Sequence, residues 1–368
     1  MQQFILGHAS DTDWHSALEQ ALQFTSAPDA TPNFGFLYIN EGFADDLGDI
    51  LRELKLRTGI AHWVGSVGEA ILCTRNEYYE QAALAILLCE FPADSFEVFD
   101  LKNFDPGTTP ADPMGGLRVA MVHGDPRNAT LADTIDDFPQ QLGNGYLCGG
   151  LTSAESHFYQ IADDITEGTL SGVIFNDEVE MVSGLSQGCS PIGPLHTLTD
   201  CDYHMAISID NRPAMEVFKE DIGEVLARDI DRAAGYIFAG FPVAGSDTGD
   251  YLVRNIVGID PEHGRIAVGD HMTEGVPIMF CRRDGKTASE DMRRMLDDIK
   301  RRLNGRTARG GIYISCLGRG RHLFGPGAGE MNLIADALGD IPLVGFYANG
   351  EIAGHRLYGY TGVLTLFV

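Results

Sequence analysis

Three stretches of about 60 residues repeat one order of strand, helix and further strands, and nothing else in the chain restricts its fold as strongly. The first runs from Phe34 to Phe91. It opens on the apolar strand GFLYIN, passes through ADDLGDILRELKLRTG and the strand AHWV, and closes on AALAILLCEF. The second, Leu117 to Asn176, has LRVAMVHG, ATLADTIDDFPQQLG, GYLCGG and TLSGVIFN in the same places. The third, Gly311 to Val368, has GIYISCLG, AGEMNLIADALG, PLVGF and TGVLTLFV. A fainter fourth copy is read from Tyr203 to Asp260. The opening strands are nearly unbroken apolar runs, which suits burial on both faces. In the first helix Leu47, Ile50, Leu51 and Leu54 fall on one stripe, with Asp45 and Asp46 at its start where carboxylates suit the helix dipole. The pattern predicts an α/β fold of the mixed α+β kind: strand-helix-strand-strand-strand units whose mixed sheets are covered by helices. Loop-rich segments, FDPGTTPADPMGG and CSPIGPLHTLTDCD, mark joints. The second places a boundary near residue 200 and gives two pseudo-related halves, 1–200 and 201–368.

Composition narrows the function classes. A net charge of −27 repels phosphate backbones and anionic lipid, so neither nucleic acid nor membrane is an expected partner. No apolar run approaches the roughly 18 residues of a membrane span, and the start lacks the basic and apolar regions of a signal peptide. Seven cysteines, odd in number and without a C-x-x-C pair, fit a reducing cytoplasm.

Each repeat carries glycines about 30 residues after its first strand, in GSVGE, GGLTSAE and GFYANGE, and each of these segments ends in glutamate: Glu69, Glu155 and Glu351. Read as loops, they would be tight turns or places where a ligand approaches backbone N–H groups. In SCLGRGR, Arg319 and Arg321 follow a strand end in an acidic protein; they suit a carboxylate or phosphate, or pair with some of the many acidic side chains. Cys316 beside them is a conceivable nucleophile, with His322 as the nearest base in sequence. The histidines form no metal motif, although His157 or His355, each just beyond a glycine segment, could serve as a haem axial ligand. Phosphate-loop, nucleophile-elbow and dinucleotide fingerprints are missing.

The segments VGSVGEAI, SGLSQGCSPIG, the strand pair around IDNRPAMEVF, IYISCLGRG and PLVGFYANGEI resemble, in order and spacing, the FIST family, whose N-terminal and C-terminal domains occur together. SCLGRG followed by GFYANGE, with Glu330 between, carries the resemblance most specifically. Where this chain has Ser66 or Val67 the family often has cysteine, and arginine where Ser190 stands; these departures bear on the identity of the ligand.

The resemblance implies a bacterial sensory protein that binds small molecules such as amino acids. In some members it implies haem and nitric oxide, acting with a histidine kinase. The expectation is a cytoplasmic, non-enzymatic sensor with its ligand between the two halves and a separate signalling partner. Gly65, Ser66, Glu69, Cys316, Arg319, Glu330, Phe346, Tyr347 and Glu351 are the candidate pocket or loop residues. Arg319, taken as an exposed loop arginine, is expected to couple ligand to closure and to matter little for stability. The alternatives are a haem protein using His157 or His355 and an enzyme using Cys316.

Overall fold

The computed structural model describes residues 3–23, 31–103, 116–227, 236–243 and 250–368. By its contacts the chain forms two compact units. One comprises Met1–Ser186, Met292–Leu357 and Thr361–Val368; the other comprises Gln187–Asp291 and Tyr358–Tyr360. The linker read at 104–116 lies, apart from Gly116, outside the described residues.

The first unit contains all three repeats. It begins with β1 (Ile5–Ser10) and α1 (Trp14–Leu22). The first repeat is β2 (Phe34–Asn40), α2 (Leu47–Thr58), β3 (His62–Gly68), the hairpin β4 (Ile71–Cys73) and β5 (Asn76–Tyr78), and β6 (Ala83–Cys89). After β7 (Phe96–Asp100) comes the second: β8 (Val119–Gly124), α3 (Leu131–Gln141), β9 (Tyr146–Leu151), the hairpin β10 (Gln160–Ala162) and β11 (Asp164–Thr166), and β12 (Leu170–Phe175), followed by β13 (Met181–Gln187).

The second unit holds β14 (Cys189–Pro191), β15 (His196–Asp202), β16 (Met205–Ile209), β17 (Arg212–Pro213), α4 (Ala214–Ala227), β18 (Ile237–Pro242), β19 (Tyr251–Asp260), β20 (Arg265–Val268) and β21 (Pro277–Arg283). Six of these strands close into an antiparallel ring in the order β21, β15, β16, β20, β19, β18 and back to β21. Met215, Val217 and Phe218 of α4 share its core with Leu198, Ile266 and Phe280. The fourth copy is therefore not a repeat. Its opening strand β16 pairs antiparallel with β15 and β20, and no parallel β16–β18 pair forms. The part of its helix beyond residue 227 lies outside the described residues.

The chain then enters α5 (Gly285–Leu303), which from Met292 on packs Met292, Met295, Leu296 and Ile299 into the first unit. The third repeat follows: β22 (Gly310–Cys316), α6 (Arg321–Phe324), α7 (Gly329–Leu338), β23 (Leu343–Ala348), the hairpin β24 (Glu351–Gly354) and β25 (Arg356–Tyr358), and β26 (Thr361–Phe367).

In every repeat the first two strands pair in parallel, and the closing strand returns antiparallel to the first. The mixed sheets expected from the sequence are present, and β2 and β6 are buried along their whole length. Of the helical stripe, Leu47, Ile50 and Leu54 are fully buried and Leu51 nearly so. Gly59, at φ 73°, ends that helix in the left-handed region that glycine enters without penalty.

The hairpins do not stay with their own repeats. β4 pairs with β23 of the third repeat, β24 with β9 of the second, and β10 with β3 of the first. Three six-stranded sheets are thereby locked in a closed cycle. At the amino-terminal end of the parallel strands an aromatic cluster fills the centre. Phe91, Phe175 and Phe367 lie 5.0, 5.3 and 5.6 Å apart in pairs, and Phe34 is 5.6 Å from Phe91.

The glycine segments begin inside strands, and only their ends are loops. Gly65–Gly68, Gly149–Leu151 and Gly345–Ala348 lie inside β3, β9 and β23. Leu37 faces Gly65, Val122 faces Gly149 and Tyr313 faces Gly345, one register three times over. A Cβ at those glycines would sit 1.7, 1.8 and 1.8 Å from the facing carbonyl oxygen. The repeated glycine is thus a close-approach position between parallel strands. We expect Gly345→Ala to destabilise the protein by at least roughly 1–3 kcal/mol, the scale of core overpacking. Gly258→Ala, where the nearest atom is 3.5 Å away, should change little. Urea melts of both variants measure the difference.

Candidate functional site

The carboxyl ends of parallel strands are where α/β sheets bind ligands, because the loops leaving them diverge into a crevice. Here the strand ends of all three repeats contribute to one cavity of about 300 Å³. β2 ends at Asn40 and leads into a 3₁₀ turn at Glu41–Phe43; β3 leads into Glu69. Glu155 follows β9, and Arg321 begins α6 after β22. The β5–β6 connection supplies Tyr79, Glu80, Gln81 and Ala82.

Polar straps hold these ends together. The Asn40 amide donates to the Gln81 carbonyl, and its Oδ1 accepts from Ala83 N at 3.0 Å. The buried Ser153 Oγ accepts from Glu69 N at 2.9 Å and donates to the Tyr347 carbonyl. Thr152 Oγ1 donates to Val67 O. One short segment after β9 therefore ties the first repeat to the third.

The charged side chains that line the cavity are mostly acidic. Arg321 lies with its guanidinium carbon 4.4 Å from the centre of the Tyr79 ring and donates to Glu80 at 2.5 Å, which lowers the Glu80 carboxyl pKa. Tyr79 stacks on the buried Tyr347 at 5.2 Å. Behind that wall, burial pushes Glu77 up to about 7. At the rim, Glu41 Oε1 bonds His157 Nδ1 at 2.7 Å, while His157 Nε2 meets Asp45 at 3.1 Å. The Glu41 hydrogen bond raises the His157 pKa. Both ring nitrogens are engaged by carboxylates, so a bond from His157 to haem iron would have to displace one of them. His355 lies on the surface between β24 and β25. Among the described residues no three His, Cys, Asp or Glu side chains converge into a metal-binding group, and no helix is long and apolar enough to cross a membrane.

Arg319, in the turn after β22, and Glu330, in α7, do not line the cavity; both are fully buried. Glu330 Oε1 accepts from Tyr313 at 2.7 Å and from Arg319 Nε at 2.8 Å; its Oε2 accepts from Ser315 at 2.9 Å and Gly320 N at 3.0 Å. The guanidinium also reaches Ser186 O at 3.3 Å. This saturated network corrects the reading of Arg319 as an exposed arginine with little bearing on stability, since removing one partner leaves a buried charge.

Of the residues singled out from the sequence, Glu69 lines the cavity and Tyr347 lies directly behind its wall. Gly65 and Ser66 are inside β3, and Phe346 is buried against Tyr38 with ring centres 5.5 Å apart. Cys316 is buried, whereas His322 is exposed. The three segment-ending glutamates are not equivalent. Glu351 pairs with Gly150, and the same register positions on the other two hairpins are Gln160, opposite Ser66, and Ile71, opposite Phe346. Glu69 and Glu155 stand before their hairpins and are exposed, while Glu351 is the first, buried residue of its own. Glu41, Tyr79 and Ala82 were missed, although Glu41-Gly42 directly follows an opening strand.

Two outcomes test this assignment. Arg319→Ala should cost about 3–5 kcal/mol, as for a broken buried ion pair, measured by urea denaturation. Glu351 accepts two hydrogen bonds from Thr361, at 3.0 and 2.7 Å, yet burial raises it to about 8. A folded pKa above the ordinary value means stability present at low pH and lost as pH rises toward about 8, by at most ~1.4 kcal/mol per unit. Glu351→Gln should therefore match the wild type near pH 5 and melt higher than it near pH 9.

The FIST N domain matches residues 33–212 and the FIST C domain residues 214–354. The chain is 29% identical over 362 residues to the uncharacterized protein Rv0628c of Mycobacterium tuberculosis, covering 92% of each. It is 27% identical over 359 residues to the uncharacterized protein Mb0898c of Mycobacterium bovis, covering 92% of this chain and 91% of that one. FIST domains are associated with sensing in signal transduction. With both domains matched over most of its length, the chain belongs to the FIST family.

Proposed function

We propose that this protein is a cytoplasmic sensor that binds a small amino-bearing metabolite, an amino acid or related amine, and passes the signal to a separate protein such as a histidine kinase. The cavity at the strand ends is the binding site. The observation that carries this reading is its construction: residues from all three repeats line it, and Arg321 joins it from the half that runs from 201 to 368. Small-molecule sites are concave and carry a few convergent polar groups on a rigid scaffold, and the straps from Asn40 and Ser153 supply that rigidity. None of the seven cysteines forms a disulfide, as suits a reducing compartment. The ligand acts by favouring the state that it binds more tightly, and the partner reads that state.

A panel of amino acids and amines screened by thermal shift tests the site. A ligand at about 100 times its dissociation constant should stabilise the native state by roughly 2.7 kcal/mol. Glu69→Lys/Glu155→Lys, which alters two exposed side chains, should abolish the shift without lowering the unliganded melting temperature. A compound that stabilises both proteins equally would place the ligand elsewhere.

A further inference from the structure

We propose that the cavity selects an extended organic dication, a linear diamine or polyamine, over a zwitterionic amino acid, a carboxylate or a metal ion. This rests on the cavity being the ligand site. Four carboxylates line it, those of Glu41, Glu69, Glu80 and Glu155, against the single guanidinium of Arg321. That guanidinium is already engaged: Glu80 holds it at 2.5 Å and Tyr79 covers one face, so a ligand carboxylate would compete with an ion pair already made. Glu69 and Glu155 accept no hydrogen bond and form no ion pair with any described residue, and Glu69 meets Arg321 only through longer-range attraction. Glu41 gives Oε1 to His157, while its Oε2 is shielded from solvent and lacks a partner among the described residues. A shielded carboxylate oxygen without a donor is costly, and an ammonium group relieves that cost.

The geometry also separates an amine from a metal ion. Divalent cations need several oxygens converging on one point, and no such trio exists among the described residues. Carboxylates spread around a cavity suit cationic groups spread along a chain. The edge of the Tyr79 ring and Ala82 offer the methylenes between them an apolar wall. The overall charge of −27 raises the local concentration of any cation, which makes a charge-matched control essential.

Isothermal titration at about 0.15 M salt, where long-range attraction is screened, decides the matter. The probes are putrescine, spermidine, lysine, glutamate and magnesium chloride. The proteins are the wild type, Glu69→Gln/Glu155→Gln, and Asp136→Asn/Asp137→Asn, which removes the same charge from the exposed face of α3. Putrescine or spermidine should bind the wild type at one site, more tightly than lysine and far more tightly than glutamate or magnesium. The glutamine variant should weaken that binding about tenfold or more, and the α3 variant should leave it unchanged. Equal weakening in both variants would mean diffuse attraction to an acidic protein and would overturn the proposal. Binding of glutamate or lysine in preference to the diamines, lost in the glutamine variant, would overturn the ligand class while leaving the site standing. Preferential magnesium binding would overturn the class in favour of a metal ion. If no probe binds and the thermal-shift panel also finds nothing, the site falls with it.

Discussion

The exchange of hairpins among the three repeats is the constraint on which the first unit depends. Each repeat has a parallel pair of strands whose second member would otherwise present an open edge, and open edges in apolar sheets invite misassembly. Here β3, β9 and β23 are each covered by a hairpin from a different repeat, and the donors run in a cycle. No repeat completes a sheet by itself. The pairings span long sequence distances, since β4 at Ile71–Cys73 adds to a strand at Leu343–Ala348. Loop-closure entropy opposes such contacts until several form together, which favours a cooperative transition of the whole unit.

The same cycle gives the unit two unlike ends. Strand ends from all three repeats meet at the cavity, where the chain leaves the carboxyl ends of β2, β3, β9 and β22. The opposite end is packed shut by Phe34, Phe91, Phe175 and Phe367. Those rings sit where apolar strands begin or return, and each buries a large area without any polar group to satisfy. The carboxyl end has no such plug. Its backbone ends are tied by the side chains of Asn40, Thr152 and Ser153, which are short enough to bridge strand ends without filling the space beyond them. A cavity lined by charged side chains follows from that difference.

Much of this was legible in the sequence, and the failures have physical causes. The period, the opening strands and the α2 stripe read correctly because each reports only whether a residue's own face is buried. Strand partnership is a different quantity. Nothing in ILC or QIA says which edge it will join, so the exchanged hairpins were invisible. The repeated glycines were seen but taken for turns; glycine marks close approach as readily as a turn, and Gly65 faces the Leu37 carbonyl inside a sheet. Glu351 was grouped with Glu69 and Glu155 by sequence position, but the hairpin of the third repeat begins one residue after Gly350, so the same letter falls on a buried strand. The FIST resemblance rested partly on Glu330, and the structure gives that residue a role in the interior rather than at a ligand.

Arg319 and Arg321 show how finely that boundary between interior and site is drawn. Two residues apart, one arginine is fully buried on Glu330 and the other lines the cavity. The turn between them is made by Gly320, at φ 50°, where a Cβ would lie 2.1 Å from the Tyr79 hydroxyl and 2.8 Å from the Tyr347 ring. No other residue type fits there, because the position is strained for an L side chain and closed by two aromatic rings. Gly320 also gives its N–H to Glu330 at 3.0 Å, and Arg321 N reaches the Tyr79 hydroxyl at 3.3 Å. The wall of the cavity and the buried ion pair thus meet at one backbone hinge. Tyr79 touches both sides of it, packing under the Arg321 guanidinium and against Tyr347. A ligand that displaced Arg321 from Tyr79 would press on a backbone whose next residue inward is fixed by a saturated buried network.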